Sequence, residues 1–243
     1  MTGLERVQTL WQLFLAGGIF MWPIVAMSLV VVTFGIERLV ALRRQRILPT
    51  KLVTQLTALE AGRFDPRVAY RACQENPSVA GRVIQALLEK LGRPLPEMER
   101  AVEVAKEREA STLYANVRPI SLAVSVTPLL GLLGTVQGMI LAFYTTANLE
   151  AGANRAAELA QGIYVALITT FAGLCVAIPA AIIAHFLEGR ILKHFREIDT
   201  VVDGVLPKLE RFEGKGRVTP AQLATAPVSP LAAPSPRPAE VRP

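Results

Sequence analysis

Two threonines sit in stretches where the chain otherwise offers little chemistry. Thr135 lies within T-P-L-L-G-L-L-G-T-V-Q-G-M-I-L-A-F, Thr127 to Phe143, and no charge interrupts the sequence between Arg118 and Glu150. Thr170 lies in a second charge-free stretch, between Glu158 and His185. On a helix, Gly131, Thr135, Gly138 and Ala142 fall at steps of four, three and four, on one face, and Ala166, Thr170, Gly173 and Ala177 repeat those steps. Gly134 and Gly138 add a G-x-x-x-G pair. In lipid, small residues on one face let neighbouring helices approach closely. A threonine hydroxyl does not titrate near neutral pH; it orients water or hydrogen-bonds a group that does titrate. Two roles are therefore open to Thr135 and Thr170. They line a narrow, weakly polar path between helices, or each bonds a backbone carbonyl of its own helix in plain packing.

Little else in the chain suggests catalysis. Cys73 and Cys175 have no metal-ligand spacing, and one lies in a polar stretch while the other lies in an apolar one, which argues against a disulfide. His185 and His194 have no matching carboxylate–histidine motif, and there is no G-x-S-x-G, phosphate-binding loop or dinucleotide fingerprint. No cofactor, no metal and no enzymatic activity are expected. The net charge of +6 is explained by where the basic residues fall along the chain, without a nucleic-acid partner.

The elements that position the threonines follow from hydropathy. With 243 residues, 51% of them hydrophobic, the chain is too apolar for an ordinary soluble domain. A bilayer core of ~30 Å needs ~20 helical residues, and three stretches provide them. We read an all-α integral membrane protein with spans over residues 17–40, 118–147 and 160–187. Residues 1–16 are expected to form an amphipathic helix at the membrane surface, since Leu4, Val7, Leu10, Trp11 and Phe14 recur at near-helical spacing. Glu37 and Arg38 mark the water boundary of the first span, and Arg43 and Arg44 follow at once.

Residues 41–117 are polar, helical by periodicity, and hold about half of the 26 basic residues. After Pro96, a helix-favouring run continues without Gly or Pro until Pro119, so one long helix is expected to start in water and become the second span. Pro119 and Pro128 are placed to bend it, and Pro179 lies within the third span. Residues 148–159 form a short loop, and 188–213 continue the third helix beyond the membrane. The positive-inside rule puts 41–117 and the C-terminus in the cytoplasm, with the N-terminus and the 148–159 loop outside. Residues 214–243 are rich in proline and alanine and are expected to be disordered.

The same residues resemble one family. G-G-I-F-M-W-P-I and the I-E-R-L exit of the first span, the Thr127–Ile140 motif of the second, and G-I-Y-V-A-L-I-T-T-F-A-G-L-C-V-A-I-P, Gly162 to Pro179, are similar to ExbB/TolQ proteins of the MotA/TolQ/ExbB proton-channel superfamily. The resemblance covers most of residues 15–212. It implies a homopentamer in a bacterial inner membrane whose second and third spans line a pore. It implies an ExbD/TolR-like single-span partner in that pore, and a TonB/TolA-like transducer that carries the motion onward. The family's pore threonines correspond here to Thr135 and Thr170. The family's third-span glutamate corresponds to Val165, so no span carries an Asp, Glu, Lys or Arg in its interior. That departure sustains an alternative of another class, a non-conducting scaffold that clusters a partner in the membrane.

Overall fold

The computed structural model describes residues 17–58, 65–148, 154–210 and 212–214. The amphipathic helix expected over 1–16, the middle of the 148–159 loop and all of the proline-rich tail beyond Gly214 lie outside the described residues. The described elements are all helical: α1 Met21–Ala41, α2 Arg44–Ile47, α3 Thr50–Ala58, α4 Pro66–Glu75, α5 Val79–Leu88, α6 Leu95–Ala115, α7 Arg118–Ala147 and α8 Arg155–Glu210. Three of them, α1, α7 and α8, are long and apolar enough to cross a membrane. At 1.5 Å per residue, the 30 residues of α7 extend about 45 Å, more than the ~30 Å of an apolar bilayer core.

The expected continuous helix from Pro96 into the second span is broken. Chain geometry turns at Asn116 and Val117, where the Val117 amide bonds the Tyr114 carbonyl at 2.9 Å, and α7 starts afresh at Arg118. Pro119 is the cause. In the middle of a helix it would remove one backbone hydrogen bond and clash with the carbonyl four residues earlier. In the first turn of a new helix its missing N–H is not needed. The Asn116 side chain donates to the Thr112 carbonyl at 3.1 Å, one turn back in the last turn of α6.

The chain divides into two compact units, Met1–Arg43 with Ala110–Lys193, and Arg44–Glu109 with His194–Pro243. In the first, α1 packs on α7. Its buried residues Met21, Ile24, Val31, Gly35 and Arg38 recur at steps of three, seven, four and three, the spacing of a coiled-coil seam. Gly35 brings α1 close to α8, where an added Cβ would stand 3.7 Å from Ile183 Cγ2.

The second unit has a core of the ordinary water-soluble kind. Leu52, Leu56, Val83, Ile84, Leu87, Leu88, Ile198 and Leu209 are fully buried, and each such side chain contributes roughly 1.5–3 kcal/mol of burial. Its helix starts are capped. The Asp65 carboxylate accepts from the Arg67 amide at 2.9 Å with Pro66 as the first helical residue, and the Ser78 hydroxyl accepts from the Gly81 amide at 3.1 Å. Arg82 grips Glu109 through two bonds of 2.6 and 2.5 Å, and Lys106 pairs with Asp199. The guanidinium of Arg82 is held above its ordinary pKa, chiefly by the bond to Glu109.

Candidate functional site: the seam between the two longest apolar helices

Where α7 and α8 meet, small residues are buried on both helices. Thr127, Gly131, Gly134, Gly138 and Ala142 are buried on α7. Ala166, Thr169, Gly173, Ala177, Ala180 and Ala184 are buried on α8. The pairing runs antiparallel. A Cβ added at Gly173 would lie 2.9 Å from the Thr127 carbonyl, one at Gly131 would lie 3.0 Å from Thr170 Cα, and one at Gly138 would lie 3.1 Å from Ala166 Cβ. At Gly162 it would overlap the Ala142 Cβ. The helices touch backbone to backbone, which only glycine permits at these positions.

This register differs from the one expected. Gly131, Gly138, Ala142, Ala166, Gly173 and Ala177 do face inward, but the centre of each face is not the threonine singled out by spacing. Gly134 occupies it on α7, where a Cβ would come within 2.7 Å of Thr169, and Thr169 occupies it on α8 at 1% exposure. Thr135 stands one residue round, half-buried, and donates to the Leu132 carbonyl of its own helix at 2.7 Å. Thr170 is half-buried on the flank and donates across the seam to the Gly131 carbonyl at 3.2 Å. Own-helix bonding thus describes Thr135 but not Thr170.

Two hydroxyls escaped the sequence reading. Thr169 donates to the Ala166 carbonyl at 2.8 Å. Thr127 is 0% exposed, and its Oγ1 has no hydrogen-bond partner. The signals that find them are the longer small-residue repeats taken whole: 127, 131, 134, 138, 142 for Thr127, and 166, 169, 173, 177, 180, 184 for Thr169. Pro128 is half-buried beside Thr127, and Pro179 is exposed on the outer face of α8. A small cavity of about 180 Å³ opens along the seam's Ala142 end, lined by Thr145, Glu158, Gln161 and Val165 among others.

Comparison with known proteins now decides the family. Residues 75–200 match the MotA/TolQ/ExbB proton channel family. A biopolymer-transport protein of Synechocystis named ExbB-like 1 is 34% identical over 178 residues, which cover 72% of this chain and 68% of that one. The chain belongs to the MotA/TolQ/ExbB proton channel family. An ExbB homolog of Methanothermobacter thermautotrophicus is 28% identical over 193 residues, covering 79% of this chain and 68% of the relative. The Tol-Pal system protein TolQ of Haemophilus influenzae is 38% identical over 94 residues, 38% of this chain and 40% of that protein. As an ExbB/TolQ family protein, the chain carries its small-residue seam within the matched region, and its three apolar helices are those of a multi-pass membrane protein.

The boundary charges of this ExbB/TolQ chain are not equivalent. Arg38 is 8% exposed, turned into the buried seam of α1, and its Nη2 donates to Glu37 Oε1 at 2.7 Å. Its Nε, also buried, has no partner. Glu37 is half exposed, so the pair is lopsided: a desolvated cation beside a hydrated anion. Arg43 is exposed, and Arg44 forms an exposed bond of 3.2 Å to Glu197, of the kind worth about 0–1 kcal/mol.

Proposed function

We propose that this chain is a proton-channel subunit of a bacterial inner membrane, working as a homopentamer with an ExbD/TolR-like single-span partner. Proton-motive force captured there energises a TonB/TolA-like transducer for outer-membrane transport or envelope maintenance. The N-terminus and the 148–159 loop face the periplasm, and α6 and the C-terminal end of α8 lie in the cytoplasm.

The observation that carries this reading is the state of the two hydroxyls. Thr135 and Thr170 both spend their hydrogen on a backbone carbonyl. What each oxygen still offers is lone pairs. A lone pair accepts from a protonated carboxyl or from water; it does not hold a carboxylate. The span interiors of this chain carry no Asp, Glu, Lys or Arg, and ionisable groups inside a membrane are the usual proton relays. The carrier is therefore an acidic side chain of the partner helix, and Thr135 and Thr170 receive it in its neutral form. Val165, in place of the family's glutamate, leaves that task to the partner.

The scaffold reading keeps one observation in its favour, the same lack of a carboxylate. Proton flux into sealed vesicles separates the two. Flux is expected only when the partner is present, and Thr135→Val and Thr170→Val each reduce it at least tenfold with the complex intact. An assembled complex that passes no protons under an imposed potential, with its transducer present, is a scaffold.

A further inference from the structure

The cavity at the Ala142 end of the α7–α8 seam is bordered by a carboxylate that the channel reading leaves unused. Glu158, Gly162, Val165 and Thr169 follow on α8 at steps of four, three and four, so they share one face. Glu158 and Val165 line the cavity from α8, and Thr145 lines it from α7. Glu158 is exposed at one end; Val165, seven residues and about 10.5 Å further along the helix, is half-buried. Among the described residues Glu158 is the one ionisable side chain in the lining, and it takes part in no ion pair. Arg155, one turn before it, has an interaction of its own within the chain. Polar atoms surround the space. The Thr145 hydroxyl gives its hydrogen to the Leu141 carbonyl at 2.9 Å, so its oxygen is left to accept. Gln161 adds an amide that both donates and accepts. The Gly138 carbonyl lies 3.4 Å from where a Cβ on Gly162 would stand, so it faces α8. At ~30 Å³ per water, the 180 Å³ of the cavity has room for about six waters. At its inner end Gly138 meets Ala166, and Thr135 lies three residues, about 4.5 Å, deeper along α7.

We propose that Glu158 is the proton-collecting residue at the outer mouth of the channel, and that water held in this cavity carries protons from it to the level of Thr135. The proposal rests on the proton-channel reading and its topology, and adds the way in. A hydronium ion outside gives its proton to a Glu158 carboxylate oxygen and remains as water. The protonated carboxyl then passes a proton to water in the cavity, and the carboxylate is restored. Only protons move; nothing is oxidised or reduced, and no further reactant is needed. Three features support the assignment. An exposed carboxylate exchanges protons with bulk water, and its negative charge raises their concentration at the entrance. Thr145, Gln161 and the Gly138 carbonyl give each water the two or more polar partners it needs to stay. Beyond Val165 the seam closes on glycine and alanine, so the wet part stops near the two threonines that receive the partner's acid.

Two measurements on the full-length chain with its partner, in sealed vesicles, test this. The first reads proton flux. Glu158→Gln keeps the shape and removes the charge, and is expected to lower flux at least tenfold with the complex intact. Glu158→Asp stays within about threefold of wild type. A concentrated membrane-impermeant buffer such as MES, added on the outer side, restores the Glu158→Gln flux, because it delivers protons in place of the carboxylate; a merely structural role would not respond to it. Flux unchanged in Glu158→Gln makes this residue a solvated loop charge and leaves the channel standing. A wild-type complex that passes no protons overturns the channel and the relay together. The second measurement needs no flux. With Cys175→Ala as background and Cys73 buried, Glu158→Cys and Val165→Cys are each exposed to a charged methanethiosulfonate added outside. Both are expected to react, Val165→Cys at least tenfold more slowly. Reaction at 158 with none at 165 means that the cavity is dry, and overturns the proposal.

Discussion

Thr170 and Gly131 join the two seam helices by a hydrogen bond that crosses between them, hydroxyl to carbonyl at 3.2 Å. Thr135, three residues from its acceptor Leu132, joins nothing beyond its own helix. The two threonines therefore separate in stability though they act together in the proposed function. Thr170→Val is expected to cost about 0.6–1 kcal/mol of helix association, the range for such bonds in membranes. Thr135→Val costs close to nothing. Denaturation of the detergent-solubilised protein by steric trapping or heat reads the difference, and equal losses contradict this account.

Glycine substitutions divide by what their new Cβ meets. At Gly162 it overlaps Ala142, and at Gly134 it lies 2.7 Å from Thr169, so Gly162→Ala and Gly134→Ala each destabilise by about 1–3 kcal/mol through overpacking. Gly189 and Gly204 lie in α8 with nothing within 4 Å. Alanine there gains about 0.5–1 kcal/mol by restricting the unfolded chain. Four single variants and one melting series check the order.

How far the sequence reached depended on the kind of signal. Charge-free stretches from Arg118 to Glu150 and from Glu158 to His185 leave little choice about the long apolar helices; α7 takes up the first as far as Ala147 and α8 contains the second. The face of each helix was harder. Positions 134 and 135 lie 100° apart and both hold small residues, so a 3.6-residue period accepts either. Only the partner helix decides, because Thr169 leaves no room for a Cβ at 134. The burial of Arg38 was similarly hidden: a charge at the end of an apolar run reads as a boundary until the seam of Met21, Ile24, Val31 and Gly35 shows which way it turns. The break at Asn116 was available in Pro119, whose position marks a helix start as well as a bend.

Thr127 makes a converse prediction to Thr170. Its hydroxyl is enclosed and unpartnered, and replacing an unsatisfied buried polar group with an apolar one of the same shape is nearly neutral or stabilising. Thr127→Val is expected to hold or raise the melting temperature. Thr127→Ala removes a buried methyl as well and lowers it, with a loss of stability of about 1 kcal/mol. A valine variant clearly less stable than wild type means that the hydroxyl has a partner in the assembled protein.

Cys73 supplies a pH dependence outside the membrane-spanning segments. Burial pushes its thiol up from 9.0 to about 12. Thiolate is the reactive form, so maleimide at neutral pH should label Cys73 only after denaturation. The linkage has a definite sign. Below pH 9.0 the thiol is neutral in both states. Between 9.0 and about 12 the unfolded chain loses the proton first, so stability falls as pH rises. Cys73→Ala removes that part of the alkaline loss, which a comparison of melting curves at pH 8 and pH 10 detects.

Apart from its threonines, the α7–α8 joint is glycine and alanine, whose side chains have no rotamers to exchange. Bistable interfaces switch because side chains find a second way to interlock, and Gly131, Gly134, Gly138 and Ala142 have no such second arrangement against Ala166 and Gly173. Nor can the helices slip, since a step along either axis would bring side-chain carbons onto backbone. The α7–α8 pair is a fixed wall. In the proposed function, a part that turns or slides as protons pass would do so against that wall, on its exposed faces, with the wall keeping its shape.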